Sequence, residues 1–183
     1  MASTASVHSV QFYSEDDALI ERLCGIVNSG LQVGNSIVIV ATAEHRQELV
    51  KQLDKARINI RPHVRHGRFT MFDAAEILET FMVNGRPDRR RFMTSVGRLL
   101  ADAKKNARSD KRELTVFGEM VALLWEAGNR NGALELEALW NDAMNDRAFH
   151  LHCAYPRRCF SADDWGKHNF ADVCSSHSHI VIQ

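Results

Sequence analysis

Short apolar runs alternate with longer amphipathic stretches along the chain. Residues 7–13 alternate apolar and polar side chains, as a half-buried strand does, whereas residues 36–41 are almost continuously apolar, as in a strand covered on both faces. Further runs rich in strand-forming residues lie at 68–72, 113–117, 149–155 and 179–182. The run at 113–117 breaks at Gly118 and continues into helical spacing, which is typical of a central strand that leads through a turn into a helix.

Between most of these runs, apolar residues recur every three or four positions, which is the period of an α-helix. Such faces lie within 19–27, 49–56, 77–82, 92–100 and 134–143, and a weaker helical segment spans 160–173. The predicted helix caps are Ser14 with Asp17, Thr42, Asp73 with Glu76, and Asp88. Gly30 is expected to end the first helix, and Gly85 with Pro87 the third.

Strands and helices that alternate in this way predict an α/β fold. We expect three layers: a mostly parallel sheet of five to six strands with right-handed crossovers, and helices on both of its faces. A flexible N-terminus over residues 1–6 would precede a single domain over 7–183, because 183 residues suit one well-packed domain better than two.

Composition narrows the classes of partner. The chain has 23 basic and 23 acidic residues, so no net charge draws it to nucleic acid or to an anionic membrane. A basic cluster is formed by Arg89–Arg91 and the positively charged residues of 104–112. We interpret it as the solvent-exposed face of a helix, and the alternative is a docking surface for an acidic partner. We therefore expect no direct nucleic-acid binding and no membrane association. The four cysteines form no CxxC pair, which favours the reducing cytoplasm.

The turn after the first strand excludes one common function of this fold. A nucleotide-binding version would carry a glycine-rich loop with a lysine that cradles phosphates. Residues 13–17 instead read Tyr-Ser-Glu-Asp-Asp and contain neither glycine nor lysine. Coulomb repulsion from three carboxylates makes ordinary ATP binding at this turn unfavourable.

Strand ends also predict a ligand site. In an open parallel sheet, the residues at the carboxyl ends of the strands converge on one crevice. The candidate ligand-binding residues are Tyr13, Ser14, Thr42, His45, Asp73, Glu119 and Tyr155. For Ser14, Thr42 and Asp73 the favoured interpretation is that they serve only as helix caps, and for Tyr155 that it belongs to the pocket wall or the core. Glu119 is the strongest of the set, because a carboxylate at that position would be costly to bury without partners.

Histidines and cysteines crowd the last third of the chain, and both are zinc ligands. Residues 149–155 alternate in direction, so His150 and His152 should face away from Cys153, and no spacing matches a structural zinc signature. Cys174 with His177 is the pair best suited to a metal, but we predict no metal, no cofactor and no catalytic residue. Glu119 and Asp73 could form a carboxylate pair for acid and base catalysis, but without a metal or a phosphate-binding loop the sequence indicates no substrate for it.

Several short motifs, taken together, resemble one known family. In the rear half they are Gly118-Glu119-Met120, Leu124-Trp125, Gly128-Asn129, Leu136-Glu137, Leu139-Trp140-Asn141, Cys153-Ala154-Tyr155-Pro156 and His177-Ser178-His179. In the front half they are His8, Tyr13, Gly30-Leu31 with Gly34, Ala41-Thr42 and Asp73-Ala74. The set is similar to the MEDS sensory domain of bacteria and archaea, named after methanogens, methylotrophs and a dichloromethane-responsive regulator. The resemblance covers nearly the whole chain, from about 7 to 181.

The resemblance implies a RecA/KaiC-like fold that has lost its phosphate-binding loop, and a role in sensing small, hydrocarbon-like molecules. Relatives are often fused to histidine kinases or DNA-binding domains. This chain ends just after its last strand, so we expect it to signal by docking to such a kinase or to a transcription regulator, with a homo-oligomer also possible. We expect no enzymatic activity. The alternatives are a degenerate nucleotide-binding module or residual ATPase, and an interaction protein without a ligand.

Overall fold

A computed structural model describes residues 6–108, 113–160 and 168–182, and the statements below concern these residues. The strands are β1 (His8–Tyr13), β2 (Ser36–Ala41), β3 (Phe69–Asp73), β4 (Met82–Val83), β5 (Arg86–Pro87), β6 (Leu114–Gly118), β7 (His150–Pro156) and β8 (His179–Ile182). The helices are α1 (Asp16–Gln32), α2 (Ala43–Lys55), α3 (Arg61–Arg65), α4 (Ala74–Glu79), α5 (Arg89–Lys105), α6 (Met120–Glu126), α7 (Arg130–Asp146) and α8 (His168–Ser175), with a 3-10 turn at Arg157–Cys159. The flexible N-terminus predicted over 1–6 lies outside the described residues, except for Ser6.

Six parallel strands form one sheet in the order β3-β2-β6-β7-β1-β8. The prediction of a parallel α/β sheet is therefore confirmed, and 113–117 belongs to an interior strand. Because the strands are parallel, their carboxyl ends all lie along one edge of the sheet. The turn that follows β6 lies between the turns that follow β2 and β7.

The two faces of the sheet carry separate cores, which confirms the three layers. One face packs against α1 and α2 through residues such as Leu19, Leu23 and Leu49. The other packs against α4 to α8 through residues such as Phe92 and Trp140. Successive strand residues point to opposite faces, so Tyr13 belongs to the first core and Tyr155 to the second.

The predicted caps at Thr42, Asp73 and Asp88 are confirmed, because each side chain accepts a hydrogen bond from a backbone N–H of the helix that follows it. The prediction at Ser14 is wrong. Glu15 occupies the N-cap position of α1 without a side-chain cap, and the helix begins at Asp16. Two carboxylates in the first turn, Asp16 and Asp17, complement the helix dipole in place of a capping oxygen.

Two predicted helix ends are also wrong. Gly30 lies inside α1, which continues to Gln32, and Gly34 with a φ of 86° makes the turn instead. The third predicted helix is α4 in the structure. It ends at Glu79, and residues 82–87 form an antiparallel hairpin in place of its last turn. Asn84 and Gly85 both have positive φ there, as a two-residue hairpin turn requires. The helical segment predicted over 160–173 is described only from 168 onward, as α8, with 161–167 outside the described residues.

No helix in the described part of the chain combines the length and the apolar character that a membrane crossing requires.

Gly30 marks the closest approach of α1 to the sheet. A Cβ at this position would lie 2.5 Å from Cδ1 of the buried Ile37, whereas a Cβ at Gly25 in the same helix would meet nothing within 4 Å. We expect Gly30→Ala to be less stable than Gly25→Ala by about 1–3 kcal/mol, because overpacking a core costs that much. Urea denaturation of the two variants measures the difference. Equal midpoints and slopes for the two variants would show that α1 does not contact β2 as described.

Candidate functional site

Glu119 follows β6 directly and joins two strand ends. Its backbone N–H donates to the Val40 carbonyl oxygen at 3.0 Å. The residue is 2% exposed, and Oε2 accepts a hydrogen bond from the Thr42 backbone N–H at 2.8 Å. Its other oxygen, Oε1, lies 2.5 Å from His45 Nδ1. The buried carboxylate therefore links the end of β6 to the turn between β2 and α2.

The cap of α2 places His45 against this carboxylate. The Thr42 hydroxyl oxygen accepts a hydrogen bond from the His45 backbone N–H at 3.3 Å, which fixes the first turn of the helix. The second ring nitrogen of His45, Nε2, lies 3.4 Å from Asp16 Oδ1 at the start of α1. The Tyr13 ring meets the imidazole edge to face, with the ring centroids 6.3 Å apart. His45 thus lies between two carboxylates.

Burial and charge act in opposite directions on this histidine. Burial lowers the pKa of His45, but the hydrogen bond to Glu119 and the charges of Glu119 and Asp16 outweigh it, so the pKa is raised. The pKa of Tyr13 is also raised, first by burial and then by the charge of Glu119. Tyr13 therefore presents a neutral phenol at physiological pH.

These groups line a crevice of about 200 Å³ at the carboxyl edge of the sheet. Four carboxylates line it, and the cationic groups are Arg158 and His45. The apolar part of the wall comes from α6 and from the end of β7. The full lining is Tyr13, Asp16, Thr42, Glu44, His45, Glu119, Ala122, Leu123, Glu126, Pro156 and Arg158.

The structure brings together four of the seven predicted site residues, namely Tyr13, Thr42, His45 and Glu119. Asp73 lies at the end of the edge strand β3, where it caps α4 and accepts a hydrogen bond from Arg46 Nη2 at 2.6 Å. Ser14 is exposed and accepts a hydrogen bond from Arg157 Nη1 at 3.4 Å.

Tyr155 lies elsewhere because it faces the opposite side of the sheet. It is fully buried, and its hydroxyl donates to Glu137 Oε1 at 2.8 Å. The next residue, Pro156, is the one that reaches the crevice. Strand alternation, which is readable in the sequence, separates the two residues.

Sequence reasoning missed four polar residues of the lining, Asp16, Glu44, Glu126 and Arg158. Asp16 belongs to the acidic turn over 13–17, whose carboxylates disfavour ATP binding. Arg158 lies two residues beyond β7, and its Nη2 donates to Glu126 Oε1 at 2.8 Å across the crevice mouth. Glu126 is the last residue of the seven-residue helix α6, which ends where the Gly128-Asn129 break in the sequence predicts, but nothing in the sequence indicated that its side chain would reach the crevice.

The described residues contain one group of metal-ligand side chains close enough to share an ion. It consists of His8, Glu137, Cys153 and His177, and it lies apart from the crevice. Of the pair considered from the sequence, only His177 belongs to it. The predicted divergence of His152 from Cys153 is confirmed, because His152 packs near Phe117 in the core on the other face.

Comparison with models of known protein families identifies the family of the chain. The model of the MEDS domain, described as the MEthanogen/methylotroph, DcmR Sensory domain, matches residues 7–178. The chain belongs to the MEDS family. The matched range includes the residues of the crevice and of the buried four-residue group. A comparison with curated proteins finds no match.

The raised pKa of His45 gives a test of the crevice. Protonated His45 stabilises the fold below its unfolded pKa of about 6.5, and this contribution is lost as the pH rises through the folded pKa. Glu119→Gln removes the main cause of the raised value, so the pKa of His45 should fall. NMR titration of the His45 ring protons measures it.

Glu126→Gln is the matched control, because Glu126 lines the same crevice but pairs with Arg158. It should leave the pKa of His45 close to the wild-type value. An unchanged His45 titration in Glu119→Gln would contradict the described contact.

Proposed function

We propose that this MEDS chain is a non-enzymatic sensory domain that binds a small organic molecule in the crevice beside Glu119. We further propose that it acts in the cytoplasm, through contacts with a signalling protein such as a histidine kinase or a transcription regulator. The observation that carries the proposal is the ordered wall of the crevice, in which Glu119, Thr42 and His45 hold one another in place. The family supports a sensory role.

The lining defines the class of ligand. A volume of about 200 Å³ is below the range of about 300–1,000 Å³ that is usual for drug-sized ligands. Carboxylates outnumber cationic groups, which disfavours phosphates and carboxylic acids. Tyr13, Leu123 and Pro156 offer apolar contact. A small neutral or cationic molecule with a short hydrocarbon body fits this lining best.

The contacts of the polar groups favour binding over catalysis. Both oxygens of Glu119 and both ring nitrogens of His45 already contact protein partners. The Asp73 carboxylate accepts hydrogen bonds from two backbone N–H groups of α4 and from Arg46. It therefore forms no acid and base pair with Glu119. These groups are therefore suited to shaping a pocket and to recognising a ligand rather than to transferring protons.

The fold also supports a RecA/KaiC-like origin with the phosphate loop replaced. Asp16 and Asp17 occupy the first turn of α1, the place where such a fold binds phosphate. Contacts with a partner would suit the sheet edge at β8, where Ile180 and Ile182 are 48% and 56% exposed. The same edge could pair with a second copy of the chain.

Blocking the crevice tests the proposal. Leu123→Trp places a large side chain in the lining, whereas Val50→Trp adds the same bulk on the exposed face of α2 and serves as the control. Native mass spectrometry of the purified wild-type protein should detect a bound small molecule. NMR titration with short-chain alcohols, halogenated hydrocarbons and amines should shift the methyl signal of Ala122, which lines the crevice and is retained in both variants.

We expect Leu123→Trp to weaken binding by at least about tenfold, which corresponds to 1.4 kcal/mol, and Val50→Trp to leave it unchanged. Binding of ATP with magnesium in the crevice, abolished by Glu119→Gln, would instead support the degenerate nucleotide-binding module. No adduct and no response to any probe would favour an interaction protein without a ligand.

A further inference from the structure

A second polar centre lies under α7 and α8, on the opposite face of the sheet from His45. His8 is the first residue of β1, and Cys153 lies in the neighbouring strand β7. Glu137 comes from α7, and His177 from the loop between α8 and β8. One donor atom from each of the four side chains lies within 4.8 Å of all the others. Four separate segments of the chain thus deliver metal-ligand groups to one point.

The donor atoms of His8, Glu137 and Cys153 are spaced as in a tetrahedral metal site, and that of His177 lies within 4.8 Å of them. Glu137 Oε2 lies 3.4 Å from His8 Nε2 and 3.8 Å from Cys153 Sγ. Cys153 Sγ lies 3.5 Å from His8 Nε2, and His177 Nε2 lies 3.4 Å from Glu137 Oε1. Zinc bonds of about 2.0–2.3 Å in a tetrahedron require donor atoms about 3.3–3.8 Å apart. The His8, Glu137 and Cys153 side chains would need little movement to accept an ion, and His177 would have to move closer to them.

Hydrogen bonds outside the centre orient both imidazoles toward it. His177 Nδ1 lies 2.7 Å from the Val173 carbonyl oxygen, which can only accept, so Nδ1 carries the proton. His8 Nδ1 lies 2.9 Å from Asn141 Oδ1, and the Asn141 amide is oriented by donating to the Ser176 carbonyl oxygen at 3.2 Å. In both rings Nε2 therefore directs its lone pair at the centre. Histidine ligands of metals are held in the same way.

Glu137 is oriented as well. The Tyr155 hydroxyl donates to Oε1, which leaves Oε2 directed at His8 and Cys153. Glu137 and Cys153 are fully buried, and so is the side chain of His177.

One buried atom at the centre has no hydrogen-bond partner. His177 Nε2 is inaccessible to solvent and unpaired, and it faces a carboxylate oxygen that is also an acceptor. Buried polar atoms are nearly always paired, so an orphan of this kind needs an explanation. A cation between the two acceptors supplies one.

We propose that His8, Glu137, Cys153 and His177 form a zinc-binding site. Two imidazoles, a thiolate and a carboxylate are ligands that zinc accepts in four-coordinate sites, and the two anionic ligands neutralise the ion. On binding, the Cys153 thiol loses its proton to solvent and a sulfur–zinc bond forms. A cavity of about 600 Å³ at the surface is lined in part by His8 and His177. The ion would tie α7 and the α8–β8 loop to β1 and β7.

Metal analysis of the full chain tests this site. The protein is stripped with a chelator, titrated with zinc sulfate and assayed for bound metal, and cobalt is substituted to reveal a thiolate charge-transfer band. We expect one equivalent of zinc, with binding strongly weakened in Cys153→Ser and in His177→Gln. Asn141→Ala, which removes only an orienting contact, should lose about 10–100-fold in affinity.

Cys174→Ser and His179→Gln are the matched controls, since both residues are close in sequence but outside the group. They should bind zinc as the wild type does, and zinc should raise their melting temperatures equally. Failure of the wild-type protein to bind zinc, a cobalt spectrum without the thiolate band, or full binding by folded Cys153→Ser and His177→Gln would each overturn the proposal. The wild-type measurement decides the matter even if a ligand variant does not fold.

Discussion

The crevice depends on one buried carboxylate. Glu119 is 2% exposed, and removing a charge from water is unfavourable unless partners replace the lost hydration. Thr42 N–H and His45 supply those partners, and both belong to a different strand-to-helix turn from that of Glu119. The demand to satisfy one charge therefore aligns β6, β2 and α2. The crevice geometry follows from this requirement more than from apolar packing, which is compatible with many arrangements of a turn.

Alternation along parallel strands explains why the chain has two polar centres instead of one. Tyr13 and Tyr155 both lie near the carboxyl ends of neighbouring strands, yet they point to opposite faces. Tyr13 therefore joins His45, and Tyr155 joins Glu137. Between strands β1 and β7, the register pairs Val10 with Cys153 and brings His8 into reach of Cys153 Sγ, because both side chains face α7. A one-residue slip would separate them.

The sequence was sufficient for features that depend on local periodicity and chemistry. It predicted the six strands of the main sheet, most of the helices and the caps at Thr42, Asp73 and Asp88, because each depends on residues a few positions apart. The Asn84-Gly85 hairpin was missed although its turn signal was present, since the apolar spacing of 77–82 was attributed wholly to a helix. Long-range placement was harder. Nothing in the sequence showed that Arg158 would reach the crevice or that His8 and His177 would meet, with their ring centroids 4.0 Å apart.

Strand β7 is the physical connection between the two centres. Cys153 and Tyr155 face Glu137, and Pro156 lines the crevice. Tyr155 also packs against Trp125 of α6, with the ring centroids 5.7 Å apart, and α6 begins at the residue after Glu119. A shift of α6 around a ligand would therefore press on the ring whose hydroxyl holds Glu137. Contiguous packing of this kind does not by itself couple the two centres. A ligand shifts the equilibrium between two conformations of the protein only if it binds them with different affinity. The arrangement that could differ is the position of the short helix α6, which is held at one end by Glu119 and at the other by the Glu126–Arg158 pair.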